Sequence, residues 1–91
     1  MPHTQHDREK LKARLARIRG QVEAVGRSLD EERECGEVLQ QVAAIRGAVT
    51  GLMASLLEGH VREHLAGERI PAADRRRAAD DVVRVLRRYL R

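Results

Sequence analysis

The 91-residue sequence has no phenylalanine or tryptophan, one tyrosine, two prolines and one cysteine. A single cysteine cannot form a disulfide within the chain, which favours a reducing, cytoplasmic location. The scarcity of aromatic residues leaves Leu, Val, Ile and Ala to build the core, and it argues against stacking on single-stranded nucleic acid. The polar start and the lack of an apolar run approaching ~20 residues predict no signal peptide and no membrane span. We expect a cytoplasmic protein without a membrane partner.

Positive charge is in excess, with 18 Lys and Arg against 14 Asp and Glu and a formal net charge of +4. This balance favours an anionic partner, although a helical protein rich in Arg and Glu can be basic without one. The length predicts one domain covering residues 1–91. So small a chain buries little surface alone, and oligomerisation is the usual way to bury more.

Apolar residues at steps of three and four predict three helices and an all-α fold. The first begins after Thr4, with Asp7 as a rough capping-box partner, and the others cover about residues 36–65 and 71–90. The second helix is long and broadly apolar, so we expect it to pair with a second copy of the chain. The third helix is predicted to turn these residues inward: Ala78, Val82, Val85, Leu86, Tyr89 and Leu90.

The only cysteine, Cys35, is considered together with His60 and His64, which lie four residues apart on one helical face. A thiolate and two imidazoles form a borderline-soft donor set that suits Zn, Ni, Co or Cu. If residues 36–64 form one helix, its rise places Cys35 ~35–45 Å from the histidines of its own chain. One subunit could not close this site, but an antiparallel second copy could.

The runs RIRGQVEAV (17–25) and VLQQVAAIRGAVTGLM (38–53), with Cys35 before the second run and the two histidines after it, resemble the CsoR/RcnR/FrmR repressors. These are small helical bacterial repressors that respond to copper, to nickel and cobalt, or to formaldehyde. The resemblance covers nearly the whole chain. It implies an antiparallel four-helix dimer, a dimer of dimers, and binding to double-stranded operator DNA without a helix-turn-helix.

Within that family, copper sensors carry a second thiol where this chain has His64. An imidazole there favours Ni(II) or Co(II) over Cu(I), because these ions accept nitrogen-rich sites. The nickel and cobalt subgroup also uses His3, so the resemblance implies a metal set of His3, Cys35, His60 and His64. Zn(II) and Cu(I) remain further candidates.

A second effector is suggested by Pro2. The family's formaldehyde sensors also begin Met-Pro, and removal of the methionine frees a secondary amine. Formaldehyde could then bridge Pro2 and Cys35 through one methylene carbon, and such a sensor would need no metal. The discriminating position is residue 64, where formaldehyde sensors often lack histidine, so His64 favours metal.

A basic stripe runs beside the apolar face of the first helix. Lys10, Arg14, Arg17 and Gln21 follow at steps of four, three and four, and Arg19 flanks them. Such a stripe is typical of phosphate contact, although it could also be an ordinary solvated helix face. The arginines of the third helix could serve either DNA binding or solubility.

These patterns predict a transcriptional repressor that an effector releases from DNA. The alternative from another class is a helical oligomer that buffers metal and has no role on DNA. We expect no enzyme, because the sequence has no acid pair, nucleophile–base arrangement or nucleotide loop.

Overall fold

The computed structural model describes residues 5–89, and all regular structure there is helical. Helix α1 spans Gln5–Asp30, α2 spans Cys35–His64 and α3 spans Ala72–Tyr89. This confirms the predicted all-α class with three helices, and the bounds agree to within a residue or two. Thr4 of the predicted capping box lies outside the described residues.

The turn between α1 and α2 is closed by backbone hydrogen bonds. The Arg33 amide donates to the Ser28 carbonyl at 2.9 Å and the Glu32 amide to the Leu29 carbonyl at 3.1 Å. This is the Schellman pattern that terminates many helices. Glu32 adopts a φ of 55°, in the left-handed region that glycine usually occupies. The chain then enters α2 through the Glu34 carbonyl, which accepts from the Val38 amide at 3.2 Å.

The chain divides after Ala54 into two compact units, and α2 contributes to both. In the first unit, residues 5–54, α1 packs along the early part of α2. This contact includes polar groups: the side-chain oxygens Oε1 of Gln21 and Gln41 are shielded from solvent and have no hydrogen-bond donor within the described chain.

The predicted apolar stripe of α1 separates into two rows. Leu11, Ile18 and Val25 are half-buried, whereas Leu15 and Val22 remain exposed. The same division occurs on α2, where the residues left exposed are Leu39, Val42, Val49 and Leu56. Each helix therefore carries one apolar row that no described part of the chain covers.

The second unit, residues 55–89, contains the end of α2, a turn and α3. Ala78 of α3 is 5% exposed and is the only buried residue in the part of the chain described here. In the turn, a Cβ at Gly67 would lie 3.0 Å from the Glu63 carbonyl oxygen, so the chain passes too closely for a side chain. Arg69 nearby has a φ of 60°.

The prediction that Tyr89 closes the core of the third helix is wrong, since it is 50% exposed. Leu86 is exposed as well, whereas Val82 and Val85 are half-buried as expected. Leu90 lies outside the described residues. The inner face of α3 is therefore narrower than the sequence pattern indicates.

The sequence has no uninterrupted apolar run near the length of a membrane span, but the average hydropathy of α2 is high. By length and composition alone, α2 is apolar enough to cross a membrane, with a window of mean hydropathy 1.3. Alanine and valine raise this mean although polar residues interrupt the apolar run. A helix in the core of a soluble bundle passes the same test.

Candidate effector site and nucleic-acid interface

Two histidines lie close together at the end of α2. The ring centroids of His60 and His64 are 5.0 Å apart and the rings are tilted by 54°. Both side chains are half-buried, and their spacing of one helical turn allows both imidazoles to address one small ligand. The arrangement agrees with the predicted pairing of these two residues on one face.

The orientation of His60 is fixed by α3. Its Nε2 atom lies 3.1 Å from the carbonyl oxygen of Ala78. A carbonyl oxygen can only accept, so Nε2 carries the hydrogen, and in the neutral ring the Nδ1 lone pair is left for another ligand. Histidines that bind metals commonly hold the second ring nitrogen in this way. The contact joins the histidine pair to the one buried residue of α3.

The thiol of Cys35 occupies a different setting at the other end of the same helix. Cys35 is the first residue of α2, and its side chain is free and exposed. The adjoining sequence is rich in glutamate, and Arg33 pairs with two of these residues, Glu31 at 3.1 Å and Glu37 at 3.6 Å. The hydrogen bond with Glu31 and the charges of both carboxylates raise the pKa of Arg33 above its usual value.

The residues of the predicted metal set are only partly brought together. Among residues 5–89, no three His, Cys, Asp or Glu side chains are grouped closely enough to hold a metal ion. The described chain supplies two adjacent imidazoles and, at the far end of α2, one thiol. His3 and Pro2, the remaining members of the two predicted effector sets, lie outside the described residues.

The basic residues of α1 are exposed: Lys10, Arg14, Arg17 and Arg19. Arg14 also contacts α2, where its Nη1 atom donates to the Gly51 carbonyl oxygen at 3.3 Å. A Cβ at Gly51 would lie 3.6 Å from Nη2 of the same side chain. The guanidinium of Arg14 is therefore positioned by the backbone of the neighbouring helix.

Two members of the predicted DNA-contacting set differ from the others. Gln21 is half-buried and its Oε1 atom is shielded from solvent, so this amide oxygen faces the α1–α2 contact. Arg19 follows Arg17 by two residues, which places it roughly opposite on the helix at about 100° per residue. The contiguous exposed stripe consists of Lys10, Arg14 and Arg17.

Sequence reasoning missed the backbone acceptors of this region. The Ala78 and Gly51 carbonyl oxygens hold His60 and Arg14, and a carbonyl leaves no signal in a sequence because every residue has one. Glycines within helices indicate only incompletely where two helices approach closely. Gly20 and Gly51 both lie inside helices, but of these two only Gly51 would bring an added Cβ within 4 Å of a non-local neighbour.

The described chain has the three helices, the histidine pair, the separate free thiol and the basic first helix that the sequence resemblance led us to expect. Comparison with known proteins agrees: residues 7–88 match the family described as metal-sensitive transcriptional repressor. The chain belongs to this family of transcriptional repressors.

Three similar proteins illustrate the range of the family. The transcriptional repressor RcnR of Salmonella typhimurium is 47% identical over 91 residues and the match covers all of both chains. A solved glutamate-to-histidine variant of the formaldehyde-responsive regulator FrmR from Salmonella enterica serovar Typhimurium is 39% identical, with a TM-score of 0.89 and coverage of 97% of this chain and 99% of that one. The copper-sensing repressor CsoR with Cu(I), from Geobacillus thermodenitrificans, is 27% identical, with a TM-score of 0.88 and coverage of 100% and 94%.

Proposed function

We propose that this chain, acting over residues 1–91 as one sensing and DNA-binding domain, represses transcription and is released from its operator by Ni(II) or Co(II). The observation that carries the proposal is the histidine pair at the end of α2. Its rings are 5.0 Å apart, and the Ala78 carbonyl fixes His60 so that Nδ1 is free for a ligand. Membership of a metal-sensitive repressor family supports the same assignment.

The proposal requires a second copy of the chain, and the exposed apolar row of α2 supports this. Cys35, Val42, Val49 and Leu56 recur every seven residues, and the three apolar members are exposed in the single chain. A repeat of seven is the spacing with which two helices pack side by side. An antiparallel pair whose two-fold axis passes at Val49 would set each Val42 against Leu56 of the partner subunit.

The same register completes the effector site. With Val49 at the axis, Cys35 lies at the level of the partner's Glu63, one turn or less from the partner's His60 and the partner's His64. Each dimer would therefore have two sites, each with a thiol from one chain and two imidazoles from the other. Pairing of two such dimers gives the homotetramer that the resemblance implies. The exposed Leu15 and Val22 of α1 supply further apolar surface for the four-helix dimer.

The donor set fits Ni(II) and Co(II). Two imidazoles and one thiolate form a borderline set, and His3 with the chain's amino group would add nitrogen donors. Zn(II) and Cu(I) are weaker candidates, because Cu(I) prefers sites with more sulfur. Binding of the effector would favour the state with low DNA affinity, so DNA must lower effector affinity by the same factor.

Formaldehyde is the second candidate effector. The structural likeness to a formaldehyde-responsive regulator supports this alternative. The step would join the Pro2 nitrogen and the Cys35 sulfur through one methylene. The amine and the thiol each give up a hydrogen, and the formaldehyde oxygen leaves with both as water. Cys35 is exposed and free, as this reaction needs.

The operator contact we propose is the exposed stripe of Lys10, Arg14 and Arg17, with Arg19 adding general positive charge. Arg14→Ala and Arg17→Ala should each weaken operator binding and lower the magnitude of the logarithmic salt slope by about 1, because each removes one phosphate contact. Nickel binding should remain. Arg62→Ala is the matched control, since Arg62 is paired with Glu58 at 2.8 Å. Unchanged affinity and slope in both stripe variants would leave the stripe an ordinary solvated face.

The effector is tested by adding Ni(II), Co(II), Cu(I) or formaldehyde to the protein bound to its own upstream DNA. His64→Leu should abolish release by Ni(II) and Co(II) and spare release by formaldehyde, which needs only Pro2 and Cys35. A thiolate charge-transfer band in the Co(II) spectrum should be present and should disappear in Cys35→Ala. A one-carbon mass gain joining Pro2 and Cys35, with DNA release and no metal effect, would make formaldehyde the effector.

Two further measurements test the assembly and the DNA role. Sedimentation should show a tetramer, and a stable monomer at micromolar concentration would remove the cross-subunit site. Retardation of the upstream fragment should be specific, salt-dependent and reversed by the effector. Metal binding without any specific retardation would make the protein a metal-buffering oligomer.

A further inference from the structure

The arginines of α3 form a surface that neither the effector site nor the α1 stripe uses. Five of them share one face of the helix at about 100° per residue, within an arc of roughly 120°. All five side chains are exposed. We name this surface the α3 arginine face, and its members are Arg76, Arg77, Arg84, Arg87 and Arg88.

The orientation of this face is set by the opposite side of the helix. Ala78 is buried, and Val82 and Val85 are half-buried, so α3 packs through these small and branched residues. Because they lie roughly opposite the arginines around the helix, the guanidinium groups point to solvent.

Most of this charge is not neutralised within the described chain. Arg84 pairs with Asp81 at 3.6 Å, but the other four have no hydrogen bond or ion pair with residues 5–89. Asp80 is the one acid within the arc. Two arginines outside α3 are paired and provide a comparison: Arg33 pairs with two glutamates and Arg62 with one.

We propose that the α3 arginine face binds the phosphate backbone of double-stranded DNA as a contact additional to that of the α1 stripe. The face extends ~18 Å along the helix from Arg76 to Arg88, a length that meets several phosphates of one strand. Guanidinium groups bind phosphate oxygens in pairs of hydrogen bonds. No aromatic residue lies within the arc, so base stacking on a single strand is disfavoured. This inference rests on the proposed DNA binding and adds a phosphate contact that carries no sequence information.

The test replaces two arginines at a time, as R76Q/R77Q and R87Q/R88Q. The matched control is R33Q/R62Q, which removes the same charge from arginines that are paired with glutamates. Binding is measured by fluorescence anisotropy with the upstream operator duplex and with a scrambled duplex of equal length, over a range of salt concentrations.

We expect each α3 double variant to weaken binding to both duplexes by a similar factor, roughly threefold to tenfold, and to lower the salt slope by about 1 to 2. The ratio of operator to scrambled affinity should be unchanged, and the control should retain the wild-type slope. Nickel binding and the sedimentation coefficient should match the wild type, since the altered side chains are exposed.

Three results would overturn the inference. Wild-type affinity and slope in both α3 variants would show that the face does not contact DNA. A changed sedimentation coefficient would make it a contact between subunits. Arginine-dependent binding to phosphatidylglycerol vesicles, with DNA binding unchanged, would make it a membrane contact. Absence of specific operator binding by the wild type would instead refute the proposed function itself.

Discussion

The two ends of α2 carry the two halves of the candidate effector site and are built differently. At the first residue of α2, Cys35 is exposed beside an acidic turn. Near the last residue, His60 and His64 are half-buried, and His60 is hydrogen-bonded to the Ala78 carbonyl. The His60 side chain is therefore held by α3 of its own chain, whereas the Cys35 side chain is free and exposed. The comparison teaches that the histidine half is held by α3 of the same chain, whereas under the proposed assembly the cysteine half would be completed by a partner.

The largest expected effect comes from the cysteine end. Cys35→Ala should raise the Ni(II) concentration needed for DNA release by more than about 100-fold, because loss of a ligand exceeds the effect of losing a supporting hydrogen bond. Its unfolding free energy should stay within about 0.5 kcal/mol of wild type, because the side chain is exposed. Release assays and urea denaturation at fixed protein concentration measure the two quantities. Release at the wild-type concentration would exclude Cys35 from the site.

Gly36 and Gly67, near the two ends of α2, differ in how closely other atoms pack around them. Gly67→Ala should destabilise the protein by about 1–3 kcal/mol, since its Cβ would lie 3.0 Å from the Glu63 carbonyl oxygen and 3.1 Å from Ile70 Cδ1. Gly36→Ala should be neutral or stabilising by up to about 1 kcal/mol, because an added Cβ would meet no atom within 4 Å beyond its chain neighbours and the nearby backbone of its own helix. Thermal unfolding of both variants at equal concentration checks this. Equal effects would mean that the two ends are packed alike.

The hydrogen bond of His60 provides a smaller effect. His60→Ala should lower the unfolding free energy by about 1 kcal/mol, the usual value of such a bond, and should speed amide exchange in α3. His60→Gln keeps an amide donor and should recover part of the loss, and Cys35→Ala serves as the control. If the two alanine variants were equally stable, the Ala78 contact would not support α3.

The smallest effects are expected in the two turns, each of which holds a left-handed residue. Glu32→Gly and Arg69→Gly should each stabilise the protein by roughly 0.5–1 kcal/mol, since glycine adopts this backbone conformation without the cost that a Cβ brings. The φ angles of 55° and 60° are nearly equal, so similar gains are expected. Denaturation curves would contradict this if either substitution destabilised the protein.

The helices could be predicted from the sequence because each is encoded locally by apolar spacing and by breaks such as Pro71. The pairing of His60 with His64 was predictable for the same reason, as it needs only one turn of helix. Contacts between helices could not be predicted from the sequence, because the hydrogen bonds of Arg14 and His60 are made to backbone oxygens. The exposure of Tyr89 was missed because periodicity identifies an apolar face but not how much of it is covered.

In the described part of the chain Ala78 alone is buried, and this has a consequence for how long the protein survives in a cell. A chain that shields so little apolar surface alone gains little free energy by folding alone. If assembly supplies the remaining free energy of folding, the folded fraction depends on protein concentration. Newly made chains are then open to proteases until they meet a partner. Degradation would then remove unassembled copies first, and the rate of synthesis would set a threshold below which no functional regulator accumulates.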